Sequence, residues 1–288
     1  METFELRYFL SVAKHENIHR ASEKLHVSPG SLSKAITRIE GELGIKLFNR
    51  EGRNIRLTDQ GRYLQLRASQ IVQLEEATKA EIRGHQNRLH VVMSGPEIFL
   101  SRFGLSVTQE LKKIYPNSLV EYHSCDEKKA LNEVGIGDAH LAIVASETPS
   151  HLTSKVLNKI HFKTVVGEGH PLYPLAIAKK SIGIKNVLQY PFVSPTIPFL
   201  GGVGLKQSLD GWRDDQFPRK VEYLTSSLKL LENILCAGKA IAYLPDYFAN
   251  TLKVAPLKVS GCPYSCVQTI RLVARNPKEI SWIYDFFR

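Results

Sequence analysis

Along the first sixty positions, apolar residues recur at helical spacing. Leu6, Phe9, Leu10 and Ala13 fall at i, i+3, i+4 and i+7, which predicts an amphipathic helix over 3–15. Asn17 is an N-cap for a second helix whose Ile18, Ala21 and Leu25 face inward. Val27 plugs the following turn, and Ser28-Pro29 supplies a cap with proline at the first helical position. A third helix, over 29–42, carries Leu32, Ala35, Ile36, Ile39 and Leu43 on one stripe.

The opposite face of that third helix presents Gly30, Lys34 and Thr37, with Ser33 and Arg38 at its margins. It is short, polar and basic, with no bulky carboxylate until Glu40. Any exposed helix has a polar face, so this stripe alone leaves a plain surface helix open. Leu47-Phe48-Asn49-Arg50 and Asn54-Ile55-Arg56-Leu57 then read as two strands around the turn Glu51-Gly52-Arg53, with Arg50, Arg53 and Arg56 projecting beside the helix. Helix, turn, helix and basic hairpin is the layout of a winged helix-turn-helix, which places one helix in a DNA major groove. Hydroxyls and amines on its outer face reach base edges or phosphates. The candidate DNA-binding residues are Pro29, Gly30, Ser31, Ser33, Lys34, Thr37, Arg38, Arg50 and Arg53.

Thr58 and Asp59 open a long helix reaching about Arg83. Gly61, Leu64, Ala68, Ile71, Glu75, Thr78 and Ile82 alternate spacings of three and four, a heptad seam that predicts a partner helix from a second copy of the chain. Packing of the same helix on its own domain is the competing reading. Gly84-His85-Gln86-Asn87 breaks it. Beyond Leu89 the pattern switches to alternation of strands and helices. Strands are predicted at 89–93, 119–123, 140–145, 162–167, 192–194, 221–224, 240–244 and 269–274, and helices at 97–114, 126–134, 203–213, 226–237 and 277–287. This is the signature of α/β units with largely parallel sheets.

Composition narrows the picture modestly. Net charge is +10, yet residues 1–62 hold 11 basic and 8 acidic residues, so only +3 belongs to the head. Charge permits a polyanionic partner without identifying one. Four cysteines are too few for a disulfide framework. Glu2 and Glu5 stand where a leader peptide would be basic, and no apolar run approaches the ~20 residues of a membrane span, so a soluble cytoplasmic protein is expected. Ten scattered histidines lack ligand spacing, and no nucleophile–base–orienter set is visible, so neither a metal, a cofactor nor catalysis is expected.

The run ASEKLHVSPGSLSKAITRIEGELGIKLFNREGRNIRLTDQG closely resembles the N-terminal signature of LysR-type transcriptional regulators, over residues 3–66. KKIYPNSLVEYH, GIGDAHLAIVA and AGKAIAYLPDYF resemble the family's effector domain more loosely. The resemblance implies a winged helix-turn-helix over 1–58, a dimerising linker helix and hinge over 59–87, and a periplasmic-binding-protein-like (type 2) effector-binding domain over 88–288. That domain would have two α/β subdomains, 88–163 plus 267–288 and 164–266, joined by two crossover strands. Homodimers that assemble into tetramers on promoter DNA, an effector in the interdomain cleft and contact with RNA polymerase are implied with it. By position, Pro29, Gly30, Ser33 and Lys34, with Arg53 in the wing, match the family's DNA-reading positions. The polar amide frequent near Pro29–Gly30 is missing, and His26 stands where Asn is common.

Effector contacts implied by the family fall on Ser94, Gly95, Pro96, Glu97, Ser124, Cys125, Thr196, Ile197, Pro198, Phe199, Thr225, Ser226 and Ser227. Each group opens a predicted helix, where N–H groups and hydroxyls favour an anionic group such as a carboxylate. Simple N-capping explains each Ser or Thr equally well. Pro96 removes a donor, and Phe199 and Leu200 make the cleft more apolar, which suits an aromatic or apolar acid. Cys262 and Cys266 in GCPYSC invite a thiol-based redox-sensing reading, although a structural role fits their spacing better, and Cys125 is the thiol placed nearest the cleft. Two other function classes stay open: a solute-binding receptor whose N-terminal part only assembles oligomers, and an α/β enzyme with a regulatory head.

Overall fold

A computed structural model of the chain describes residues 1–51, 54–82, 89–197, 209–275 and 281–287. It begins with α1 (Thr3–His15), α2 (Ile18–Leu25) and α3 (Pro29–Leu43), followed by the hairpin β1 (Phe48–Glu51) and β2 (Asn54–Leu57) and the long helix α4 (Asp59–Ile82). The three small helices close around Phe9, Val12, Ala21, Leu32 and Ile39, all fully buried. Each large apolar side chain so buried contributes about 1.5–3 kcal/mol, which is why the i, i+3, i+4 stripes translate directly into this packing. The predicted turn residues Gly52 and Arg53, and the hinge at 84–87, lie outside the described residues.

The seam on α4 divides differently from its heptad reading. Gly61, Leu64 and Ala68 are buried, but against α1 and the hairpin of the same chain, and Val72 joins them in place of Ile71. Glu75 is spent on Arg7, whose Nη1 and Nη2 reach Glu76 and Glu75 at 2.5 and 2.9 Å. A 3.5-residue repeat and a 3.6-residue amphipathic face agree over the first two turns and then drift apart. Ile71 and Ile82 therefore lie on the outside, together with Tyr63 and Leu74.

The remainder is α/β. In chain order come β3 (His90–Gly95), α5 (Glu97–Phe99), α6 (Leu105–Ile114), β4 (Leu119–Ser124), α7 (Glu127–Ile136), β5 (Leu141–Val144) and β6 (Thr153–Gly167). Then follow α8 (Tyr173–Ile177), β7 (Ser181–Gly183), α9 (Ile184–Val187), β8 (Pro191–Pro195), β9 (Lys220–Thr225), α10 (Leu228–Cys236), β10 (Ala242–Pro245) and α11 (Phe248–Thr251). β11 (Val254–Pro256), β12 (Lys258–Ser260), β13 (Val267–Ala274) and α12 (Ser281–Phe287) end the order. β4, β3 and β5 pair in parallel, as do β8 with β9 and β7 with β12, whereas β5–β13–β6–β10 is antiparallel. The result is two lobes joined by β6 and β13.

Three expectations need correction. The strand expected at 162–167 begins at Thr153, because its first half is largely exposed and carries no apolar run to betray it. The helix expected over 97–114 is broken by a π-helical turn, Leu100–Gly104, set against the Tyr122 ring, which a Cβ on Gly104 would approach to 3.0 Å. Where residues 209–213 are described, they form a turn and not the end of a helix. Among the described residues, no helix is long and apolar enough to cross a membrane.

The head is not a loose appendage. Ser69 and Gln73 of α4 are buried against the C-terminus of α7, and Gln73 Nε2 donates to the Gly137 carbonyl at 2.9 Å. Lys14 of α1 reaches Asp138 at 3.2 Å. Gly137 sits at φ +86°, and a Cβ there would lie 1.6 Å from Ser69 Oγ. Gly137→Ala is expected to lower stability by at least about 1–2 kcal/mol, the left-handed backbone cost alone, read as an earlier urea midpoint. An unchanged midpoint would mean that α4 does not dock on this turn.

Candidate nucleic-acid interface and ligand cleft

The turn between α2 and α3 is built from side chains suited to each position. Asn17 accepts the Arg20 N–H at 3.0 Å and caps α2. His26 takes the left-handed conformation at φ 54°, a place that Asn and His tolerate better than most residues. Ser28 Oγ accepts the Ser31 N–H at 3.1 Å and caps α3 ahead of Pro29. Leu32, Ala35, Ile36 and Ile39 turn inward, which leaves Gly30, Ser31, Ser33, Lys34, Thr37 and Arg38 exposed on the outer face and Pro29 half-buried.

These residues are not equally available. Ser31 Oγ is paired with Ser28 Oγ at 2.8 Å. Arg38 lies 3.4 Å from the buried carboxylate of Glu5. Arg56, expected to project toward DNA, is instead ion-paired with Glu16 at the end of α1. Lys34 has no ion-pair partner among the described residues, and Arg50 is exposed on β1. Arg53 lies outside the described residues.

Sequence reasoning treated Glu40 only as a boundary of the polar face, yet it fixes the hairpin to α3. It is buried, and its Oε1 accepts the Leu47 and Phe48 N–H groups at 2.8 and 3.4 Å, while Oε2 meets Lys46 Nζ at 2.6 Å. Burial pushes its pKa up, but Lys46 and the two N–H groups outweigh this and hold the carboxyl below 4.5. The inward position of Glu40 beside Ile39 was the available signal, since a carboxylate on a buried face needs donors.

The cleft between the lobes gathers eight of the thirteen expected effector residues: Pro96, Glu97, Ser124, Cys125, Ile197, Thr225, Ser226 and Ser227, with Pro195, Leu228 and Leu231. Ser94 is fully buried behind it, its hydroxyl donating to Glu133 at 2.5 Å. Gly95 packs so closely on Ile143 that a Cβ would sit 2.4 Å from its carbonyl oxygen. Thr196 is exposed and does not line the cleft, and Pro198 and Phe199 lie outside the described residues.

The cavity measures about 30 Å³, the room of about one water molecule. Two contacts hold it shut: Tyr247 donates from its hydroxyl to the Ile98 carbonyl at 2.7 Å, and Glu97 Oε2 accepts the Leu228 N–H at 3.4 Å. The N-terminus of α10, where an anion was expected, thus already faces a carboxylate of the chain itself. Thr225 and Ser227 are engaged in capping, Thr225 Oγ1 accepting the Ser227 N–H at 3.0 Å and Ser227 Oγ accepting the Leu230 N–H at 3.3 Å.

Comparison with known proteins fits this arrangement of head, long helix and two lobes. Residues 4–62 match the family model described as bacterial regulatory helix-turn-helix protein, lysR family. The transcriptional dual regulator GltC of Bacillus subtilis is 26% identical over 287 residues, covering 98% of this chain and 93% of GltC. In fold, the chain is similar to full-length LysG of Corynebacterium glutamicum with bound effector Arg, with a TM-score of 0.66 at 18% identity, covering 100% of this chain and 96% of LysG. Full-length CbnR complexed with its target DNA gives a TM-score of 0.55 at 18% identity, covering 100% and 99%. The N-terminal part thus matches the helix-turn-helix model of the LysR family, and the whole chain has the fold of full-length LysR-type regulators.

Its α1 to α3 correspond to that helix-turn-helix, and its two lobes are similar in fold to the C-terminal part of those full-length regulators. The cleft thiol is poorly suited to redox chemistry. Burial pushes Cys125 up to about 11, with the Glu133 charge adding to it, so the thiol stays protonated at neutral pH. Cys266 is raised for the same first reason. Among the described residues no cluster of His, Cys, Asp and Glu could hold a metal ion.

Because the folded carboxyl of Glu40 is held low, its contribution is complete above pH 4.5 and is lost as pH falls through the folded value. Glu40→Gln is expected to cost about 1–2 kcal/mol at pH 7, with the gap to the parent closing in acid. Urea unfolding across that pH range measures it. A gap that persists unchanged into strong acid would show that the charge of Glu40 contributes nothing.

Proposed function

We propose that residues 1–58 read promoter DNA, with α3 in the major groove and the hairpin beside it, as one half of a homodimer that can pair further into a tetramer. The carrying observation is the outer face of α3. Gly30, Ser33, Lys34 and Thr37 are exposed there while neighbouring arginines are tied to Glu5 and Glu16. Small hydroxyls and one unpaired ammonium suit close approach to base edges and phosphates. Residues 59–87 act as linker, and the exposed Tyr63, Ile71 and Leu74 of α4 supply an apolar face for a second copy. Residues 88–288 act as the effector-binding part, with 88–163 plus 267–288 as one subdomain and 164–266 as the other, and with RNA polymerase as the downstream partner on DNA.

Lys34→Ala should weaken binding to an operator fragment by about tenfold and lower the slope of log K against log salt by about one, with the circular dichroism spectrum unchanged. A footprint showing no protected inverted repeat near any promoter tested, including the protein's own, would sink the reading.

The effector is a small molecule with an acidic group that takes the place of Glu97 at the N-terminus of α10. A helix of this length favours negative charge at that end by about 0.3–1 kcal/mol, and the carboxylate of Glu97 lies there. Opening the Glu97 and Tyr247 contacts is then what enlarges the cleft. Glu97→Ala empties the position in advance, so a panel of carboxylic acids should raise the melting temperature of this variant more than that of the parent. Equal or smaller shifts would argue against displacement of Glu97.

A further inference from the structure

A larger cavity lies away from the cleft, on the face where the two joining strands enter the second lobe. Its volume is about 510 Å³, within the range of about 300–1,000 Å³ that holds a small organic ligand. Phe162 to Thr164 of β6 and Val267 and Gln268 of β13 line one side, so the cavity is built on the connections between the lobes. Its aromatic floor is Phe162, Trp212 and Tyr243, with Trp212 edge-on to Tyr243 at 5.2 Å and Phe162 tilted against Tyr243 at 5.6 Å. Trp212 is held from behind, its Nε1 donating to the Phe217 carbonyl at 2.8 Å and its ring lying 5.2 Å from the guanidinium of Arg219. The side chain of Arg219 is itself buried and paired with Asp210 at 2.7 Å. The wall is therefore rigid and formed before any ligand arrives.

Charge on the wall is one-sided. Lys163, Arg213 and Lys258 line the cavity, and among the described residues no carboxylate does. Arg213 stacks on Tyr264 at 4.4 Å and is compensated by Asp215 at 2.7 Å, but neither lysine is ion-paired among the described residues. Lys163 alternates with Phe162 and Thr164 along β6 and also borders the neighbouring cavity that holds Asp246, so Lys258 is the uncompensated ammonium on the cavity wall. Cys262 and Cys266, the pair in GCPYSC, also line it, and the second thiol is kept neutral by burial.

We propose that this cavity is a second ligand site, distinct from the cleft, for a planar aromatic carboxylate. The ring stacks on Trp212 and Tyr243, the acid group faces Lys258, and the occupant packs on β6 and β13 where the lobes join. This site does not depend on the reading of the cleft or of the DNA-binding face.

The test uses the full chain and 2-naphthoate as probe, followed by Trp fluorescence and calorimetry, with the neutral 2-naphthalenemethanol as control. The expected result is saturable binding of the acid in preference to the alcohol. Lys258→Glu, a substitution at an exposed position, should weaken it about fivefold, and Ser265→Trp at the rim should abolish it. Ser226→Trp, which fills the cleft, should leave it unchanged. The proposal is overturned by absence of saturable binding at millimolar probe. It fails equally if the alcohol binds as well as the acid and Lys258→Glu has no effect, or if Ser226→Trp abolishes the signal. Should Ser265→Trp fail to fold, the Lys258→Glu and Ser226→Trp arms still decide.

Discussion

How closely α4 can approach its neighbours governs the arrangement of the whole chain. A Cβ on Gly61 would lie 2.2 Å from the Leu47 carbonyl, so only glycine lets the helix start against the hairpin. One turn later Leu64 and Ala68 close on α1, and Ser69 and Gln73 close on Gly137 at the end of α7. A single helix thus carries the helix-turn-helix head on one side and a lobe on the other. Helix α7 in turn begins beside Ser124 and Cys125 in the cleft and ends at that dock, about 15 Å away for its ten residues. Cleft and linker are joined by one short rigid rod, and a displacement of α7 acts on both.

Internal carboxylates play a recurring part. Glu40 takes up the N–H groups that open β1, Glu97 that of Leu228, and the fully buried Glu127 those of Ala145 and Ser146 at 2.5 and 3.1 Å. Each satisfies backbone donors that no ladder or helix reaches, a deficit that would otherwise cost about 1–3 kcal/mol apiece. Two of the three also join parts distant in sequence or function: α3 to the hairpin, and one lobe to the other across 131 residues.

Much of the head was legible because its signals are local. Periodicity placed α1 and α3 almost to the residue, Ser28-Pro29 marked the start of α3, and the outer face followed from the inner stripe. The cleft was legible only as loops that open helices. That Thr225 and Ser227 would be consumed by capping, and that Glu97 would reach Leu228, depend on how two lobes meet. The exposed first half of β6 and the π turn after Phe99 left no period in the sequence, since both answer to neighbours far along the chain.

The chain by itself therefore determined the helices and hairpin of the head, their inward and outward faces, and the resemblance to LysR-type regulators, since periodicity, capping and a dense local signature act over a few residues. Tertiary structure alone decided which faces were already taken. It gave half of the heptad seam to α1, tied Arg38 and Arg56 to carboxylates, shut the cleft with Glu97 and Tyr247, and opened an aromatic cavity beside the joining strands. Those outcomes rest on contacts between residues tens to more than a hundred positions apart. No spacing rule records such contacts, because they are selected by close packing and by the need of each buried polar group for a partner.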